Sequence, residues 1–218
     1  MGLTKQNFIH KEEKPKTVIE WSFDDGYELD LKVADILESF GHKAVFYIVL
    51  DNVGKRGYLN WDQVKELEKR GHEIGSHTVS HPQDLKALFD EELHYEVQNS
   101  KDMLEIVLGH SVAKFCYPRG RYDERVQAFV NRAGYVYARA TGKPGITEMK
   151  DVLAVPGTVH IFQRKEYENV PVLEYAQRQI DKVKKEGGYC NIWGHSKEID
   201  ENHLWEVLEE VCKYVKVT

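Results

Sequence analysis

The chain reads as an α/β protein whose parallel strands, each followed by a helix, close into a barrel. Two observations predict this. Runs of β-branched and aromatic residues alternate with segments of helical spacing, punctuated by glycine and proline. The count of such runs, six to eight, suits a barrel of β/α units better than a long open sheet.

After a polar, lysine-rich lead-in, Met1 to Lys16, the stretch Thr17 to Phe23 is predicted as the first strand. Leu29, Leu31, Val33, Ala34, Ile36, Leu37 and Phe40 then recur at helical spacing, with Gly41 where a C-cap glycine belongs. Lys43 to Val49 is a second strand, followed by a loop with Asn52, Gly54 and Gly57. Trp61, Val64, Leu67 and Gly71 mark a second helix, and His72 to Ser76 a short third strand. Asp84 to Leu108 is expected to form one long amphipathic helix, its charged side through Lys101 a solvated face, stopped by Gly109. Val112 to Tyr117 is strand four, ended by Pro118 and Gly120; Asp123 caps a helix running to Gly134. Tyr135 to Arg139 is strand five. Between Thr141 and Arg164 the signals are weak, with a strand at Val152 to Val155 and turns at Pro144-Gly145 and Pro156-Gly157. Val172 to Lys185 is helical, Gly187-Gly188 breaks it, Tyr189 to Trp193 is the last strand, and Glu201 to Tyr214 the closing helix. No linker or change of composition interrupts this series, so residues 1–218 are expected to form one domain.

Composition narrows the function classes. The chain is 41% apolar and 30% charged, as a globular protein is, and its formal charge of −6 argues against nucleic acid or anionic membrane as partners. Cys116, Cys190 and Cys212 contain no CxxC pair and suggest neither a disulfide framework nor a thiolate zinc site; Cys116 and Cys190 read as buried small hydrophobes. No stretch is long enough to span a bilayer, and the lead-in lacks the apolar core of a signal peptide. At face value this predicts a cytoplasmic protein, or an exported one if a leader has been removed.

Chemistry concentrates just after predicted strands, the C-terminal rim where β/α barrels carry their functional residues. Ser22-Phe23-Asp24-Asp25-Gly26 delivers two carboxylates to the end of strand one. An Asp-Gly pair also makes ordinary turns; the functional reading is one carboxylate on a divalent cation and its neighbour free as general base. His77-Thr78-Val79-Ser80-His81 places two imidazoles four residues apart, and with Asp25 they make three ligands that leave one position open, the pattern of a catalytic zinc site. His195, ending Ile192-Trp193-Gly194-His195, is a candidate general acid across the site. Trp193 and Tyr117 are expected to pack in the core, with a sugar-stacking role as the alternative. His10, His42, His94, His110, His160 and His203 show no assembled partners and are taken as structural or surface residues.

Taken together, these segments resemble the polysaccharide deacetylases, the NodB-like group of carbohydrate esterases, from about Val18 to His195. Asp24-Asp25 is similar to that family's first motif, which implies Asp24 as catalytic base and Asp25 as metal ligand. His77 and His81 resemble the second motif, completing the metal triad. Tyr117-Pro118-Arg119-Gly120 resembles the third, one wall of the groove, with the Arg119 N–H facing the oxyanion. Trp193-Gly194-His195 resembles the fifth, which carries the acid. The resemblance implies a distorted (β/α)7 barrel. It also implies hydrolysis of N-acetyl groups on amino sugars of a chitin- or peptidoglycan-type saccharide, with Zn2+, or another divalent metal such as Co2+ or Ni2+. Two departures stand out. Cys116 occupies the place of the family's base-orienting arginine, which leaves Arg139 or Arg119 to supply that charge, and no counterpart of the fourth motif lies between Arg139 and Pro171. The alternatives are an amidohydrolase acting on a small cyclic or linear amide, and a catalytically silent carbohydrate-binding protein. Binding alone needs no acid–base pair, which counts against the last.

Overall fold

The computed structural model describes residues 15–141 and 151–217; most of the lead-in, His10 and the Pro144-Gly145 turn lie outside them. The elements follow one another as β1 (Thr17–Asp25), α1 (Asp30–Ser39), β2 (Ala44–Ile48), α2 (Trp61–Lys69), β3 (Glu73–Ser76), α3 (Asp90–His94), α4 (Ser100–Leu108), β4 (Lys114–Cys116), α5 (Glu124–Arg132), β5 (Tyr137–Ala140), β6 (Val155–Pro156), β7 (Val159–His160), α6 (Val172–Glu186), β8 (Gly188–Gly194), α7 (Ser196–Glu201) and α8 (Trp205–Val217). All strand pairs are parallel, in the order β6-β5-β4-β3-β2-β1-β8-β7.

The two edge strands are neighbours in sequence, and this closes the curled sheet. β6 pairs with β5 and β7 with β8, while between them the Gly157 N–H donates to the Ala140 carbonyl (2.9 Å) and the Thr158 N–H to the Asn191 carbonyl (2.9 Å). Val155 to His160 is therefore one bent stave that belongs to both sides. Eight paired segments thus make a distorted (β/α)7 barrel. Gly157 permits the bend: a Cβ there would collide with the Trp193 indole.

Strand alternation decides what enters the barrel. On β1, Trp21 and Phe23 join the apolar core beneath the helices, while Glu20, Ser22 and Asp24 turn to the other side. Parallel register carries that parity around the sheet through the pairs Ser22 with Trp193, Tyr47 with Gly75, Lys114 with Tyr137 and Cys116 with Arg139. Near the N-terminal end Glu20 takes the Lys114 ammonium and the Tyr189 hydroxyl. At the C-terminal end, Asp24, Cys116 and Arg139 crowd together. The barrel interior thus holds charged groups at both ends around a small buried cluster of Val45, Tyr47 and Cys116.

Four expectations need correction. The segment from Asp84 is not one helix. Asp84 caps a short 3-10 turn at Leu85–Ala87, Leu88 and Phe89 are extended, and α3 begins at Asp90. A π-helical turn, Tyr95–Asn99, then joins α3 to α4, and its wider winding turns Glu96 and Val97 inward. Nor is the charged side through Lys101 wholly a solvated face: Lys86, Asp90, Glu91 and Glu92 are exposed as expected, but Glu96 and Lys101 are buried. The closing helix starts later than expected, at Trp205 rather than Glu201, and a short helix not foreseen, α7, ends at Glu201 before a bend in which His203 takes φ 56°. In the weakly signalled segment the strand is Val155–Pro156 rather than Val152 to Val155, and β7 was not foreseen. The three cysteines are buried and unpaired. Among the described residues no helix is long and apolar enough to cross a membrane.

Candidate metal and acid–base site

Three strand ends bring the predicted ligands together. Asp25 and Ser76 both pair with Ile48, so β1, β2 and β3 finish in one row, and the His77 N–H donates to the Ile48 carbonyl (2.9 Å). Asp25 Oδ1 lies 3.6 Å from His77 Nε2 and 3.7 Å from His81 Nε2, separations that ligands of a single cation adopt. His77 is also in the correct tautomer. Its Nδ1 is 2.8 Å from the Cys116 carbonyl, which only accepts, so Nδ1 carries the proton and Nε2 keeps its lone pair toward Asp25. Burial holds the His77 imidazole down at about 4, so it is neutral at pH 7. Two imidazole nitrogens and one carboxylate oxygen fit Zn2+ or a similar borderline cation.

The backbone is bent to achieve this. Asp25 (φ 78°), Thr78 (φ 71°), His81 (φ 56°) and Arg119 (φ 56°) all take left-handed conformations that cost non-glycine residues energy; Asp25, His81 and Arg119 line this one cleft, and Thr78 is buried between the two histidines. The histidine loop is held by Glu96 from the π turn. Its Oε2 accepts from the Val79 and Ser80 N–H groups (2.9 Å each), and its Oε1 from the Ser80 hydroxyl.

Asp24 sits one residue before the metal ligand, inside the barrel. Burial would raise its carboxyl, but Arg139, with His77 and His195 beyond it, holds it at about 2. Arg139 is fully buried, pairs with Asp24 Oδ2, and lies 2.9 Å from Cys116 Sγ through Nη2. Asp24 Oδ1 has no hydrogen-bond partner among the described residues. One oxygen is thus committed to the arginine and the other is left without a partner, in a residue that lines the cleft, an arrangement a general base can use. The pair with Asp24 belongs to Arg139 and not to Arg119, whose carbonyl accepts from Thr141 Oγ1 (3.2 Å).

A cleft of about 250 Å³ is lined by Asp24, Asp25, His77, His81, Tyr117, Arg119, Thr141, Trp193 and His195. Pro118 is buried in the turn behind the wall rather than on it. Tyr117 packs in the core as expected, its hydroxyl donating to the Leu153 carbonyl (2.8 Å). His195 follows Gly194, which pairs with Phe23, so the imidazole stands beside Asp24 on the neighbouring strand end.

Against known proteins, residues 11–138 match the profile described as polysaccharide deacetylase. The chain belongs to the polysaccharide deacetylase family. A peptidoglycan-N-acetylglucosamine deacetylase of Bacillus cereus is 30% identical over 105 residues, 47% of this chain and 36% of that protein. The structure of the Streptococcus pyogenes deacetylase PplD in complex with acetate superposes with TM-score 0.62 at 25% identity, covering 68% of this chain and 67% of that one. The chitin deacetylase of Colletotrichum lindemuthianum shares the fold, with TM-score 0.68 over 93% of this chain and 82% of that one at 17% identity. The chain spans about half the length of the curated relatives it matches.

In this member of the polysaccharide deacetylase family, sequence reasoning missed three groups around His195: Glu198, the partners of His160, and Asp30. Glu198, one turn into α7, places Oε2 3.3 Å from His195 Nδ1 and 2.9 Å from His160 Nε2. Burial works against the His195 cation, but Glu198, Asp24 and Asp25 outweigh it and raise the imidazole above its ordinary value. The Glu198 carboxyl, which burial would raise, is held at about 2 by the two imidazoles. His160 is therefore not a stray structural histidine: it is buried and stacked on Trp193 at 4.0 Å. Asp30, buried at the start of α1, accepts from the Ser196 hydroxyl (2.6 Å) and ties the residue after His195 to the neighbouring helix. An acidic residue three positions after a candidate acid histidine is a readable signal for Glu198; nothing local marks Asp30.

Proposed function

We propose that this domain is a metal-dependent deacetylase that hydrolyses the N-acetyl group of an amino sugar in a chitin- or peptidoglycan-type saccharide. One observation carries the reading: a cation site (Asp25, His77, His81), a charge-clamped carboxylate (Asp24) and a carboxylate-backed imidazole (His195) share a single cleft. A divalent ion held by Asp25, His77 and His81 supplies Lewis-acid polarisation of the acyl oxygen and a lowered pKa for attacking water.

The chain's own residues do the rest. Asp24 takes the proton of the attacking water through Oδ1, while Arg139 fixes Oδ2 and keeps the carboxylate ionised. The Arg119 N–H faces the oxyanion that develops on the acyl carbon. His195, kept protonated by Glu198, delivers a proton to the departing nitrogen. Tyr117 and Trp193 form the apolar part of the wall; the indole is only 5% exposed, with His160 stacked on it and the Arg139 guanidinium 4.6 Å from its ring, so it shapes the wall by packing. Relatives named for peptidoglycan N-acetylglucosamine and for chitin support the substrate class.

The test is acetate release from chitotetraose and from peptidoglycan fragments, with and without chelator, alongside metal content. Asp24→Asn should keep its metal and lose turnover; His77→Ala should lose both. An Asp24→Asn protein that deacetylates at the wild-type rate removes the base assignment.

A further inference from the structure

We propose that His160, His195 and Glu198 form a second divalent-cation site, and that Zn2+ in excess fills it and arrests the chemistry at the first. The arrest rests on the function proposed above; the binding does not.

The three residues come from β7, the end of β8 and α7, and their ligand atoms all lie within 4.8 Å of one another. A single oxygen, Glu198 Oε2, faces His160 Nε2 at 2.9 Å and His195 Nδ1 at 3.3 Å. Two imidazoles and a carboxylate are again the donor set that zinc takes. None of the three belongs to the Asp25, His77 and His81 group.

A second, independent observation concerns His160. Only 5% of the residue is exposed, yet neither ring nitrogen makes a hydrogen bond among the described residues. Glu198 is near enough to Nε2, but off its N–H direction. Donors that lie close without hydrogen-bond alignment are arranged as ligands converging on a common point. A buried imidazole left unbonded carries a desolvation cost that a cation would offset. The ring is also held in place beforehand. Trp193 stacks on it with an interplanar angle of 8°, and the Tyr167 hydroxyl accepts from the His160 N–H (2.6 Å) and donates to its carbonyl (3.1 Å). Arg164, whose charge reaches His160, is paired with Glu166 at 3.3 Å.

A cation here would take the Glu198 carboxylate and Nδ1 of His195 together. The imidazole would lose the anion that holds its proton, and positive charge would be added where the leaving nitrogen must be protonated.

Protein holding one equivalent of Zn2+ is dialysed against buffers of fixed free Zn2+, and zinc per chain is measured together with deacetylation. Wild type is expected to take up a second equivalent and lose activity by roughly ten- to a hundredfold. His160→Phe, which keeps a flat ring against Trp193 without nitrogens, and His160→Gln should stop at one equivalent and lose that sensitivity; both are first checked for wild-type melting. His77→Ala, which lacks the first-site ion when isolated, should take up one equivalent at the second site once free Zn2+ is in excess. Saturation of wild type at one equivalent, or a second equivalent persisting in both His160 variants, overturns the site. A second equivalent without loss of activity overturns the inhibitory half. Zinc uptake as expected with no deacetylation of any substrate leaves the site standing and removes the function instead.

Discussion

Arg139→Met is the sharpest test of how the base is held. The arginine is fully buried and pairs with Asp24 Oδ2, while Asp24 Oδ1 has no partner to fall back on. Methionine keeps much of the length, and some packing against Tyr47 and Trp193, whose rings lie 5.5 Å and 4.6 Å from the guanidinium carbon. What is lost is the counter-charge, and breaking a buried pair by removing one partner costs about 3–5 kcal/mol. For a chain of this size each kcal/mol moves the midpoint by about 2–4 °C, so thermal melting should drop by roughly 6–20 °C. Adding Asp24→Asn removes the orphaned charge, and the double variant should melt above Arg139→Met alone. Turnover should fall about a hundredfold, because the base is no longer held in line. Cys116 pairs with Arg139 in register and faces the same side, so Cys116→Arg in the Arg139→Met background returns a guanidinium to the same carboxylate from the adjacent strand and should recover part of both losses. An Arg139→Met protein that melts within about 2 °C of wild type, with unchanged kcat/KM, refutes the argument.

Three further outcomes follow from the same geometry. Glu96→Gln keeps its shape but loses the charge assistance of its two backbone bonds, about 1 kcal/mol each, so chelator competition should find metal affinity roughly ten- to thirtyfold weaker. The proposed acid must be protonated, and its raised pKa keeps activity up to the alkaline limb of the pH–rate profile; Glu198→Gln removes an anion that favours the protonated ring, so that limb should move to lower pH in the presence of one equivalent of zinc. Gly157→Ala drives a methyl into the Trp193 indole, and urea unfolding should report a loss of about 1–3 kcal/mol.

How much of this was legible in the sequence depended on the distance over which each contact acts. Strand ends carry their chemistry locally: Asp24-Asp25-Gly26 and His77 to His81 are short, dense and placed after apolar runs, so the fold class and the three candidate ligands could be read from spacing. Arg139 was within reach because an arginine between two alanines in a buried strand, Tyr137-Ala138-Arg139-Ala140, demands an inward partner. Glu96 was hidden by periodicity itself. A helix drawn at 3.6 residues per turn puts it among the solvated charges, and only the π turn rotates it onto the histidine loop. His160 was hidden differently. Its stave pairs two residues on one side and two on the other, too short for any strand pattern, and its partners Trp193, His195 and Glu198 lie more than thirty positions away. The stave that closes the barrel is therefore also the one that brings a second imidazole to Glu198. Bending at Gly157 determines both, which is why a substitution there should disturb zinc uptake at the second site before it disturbs the first.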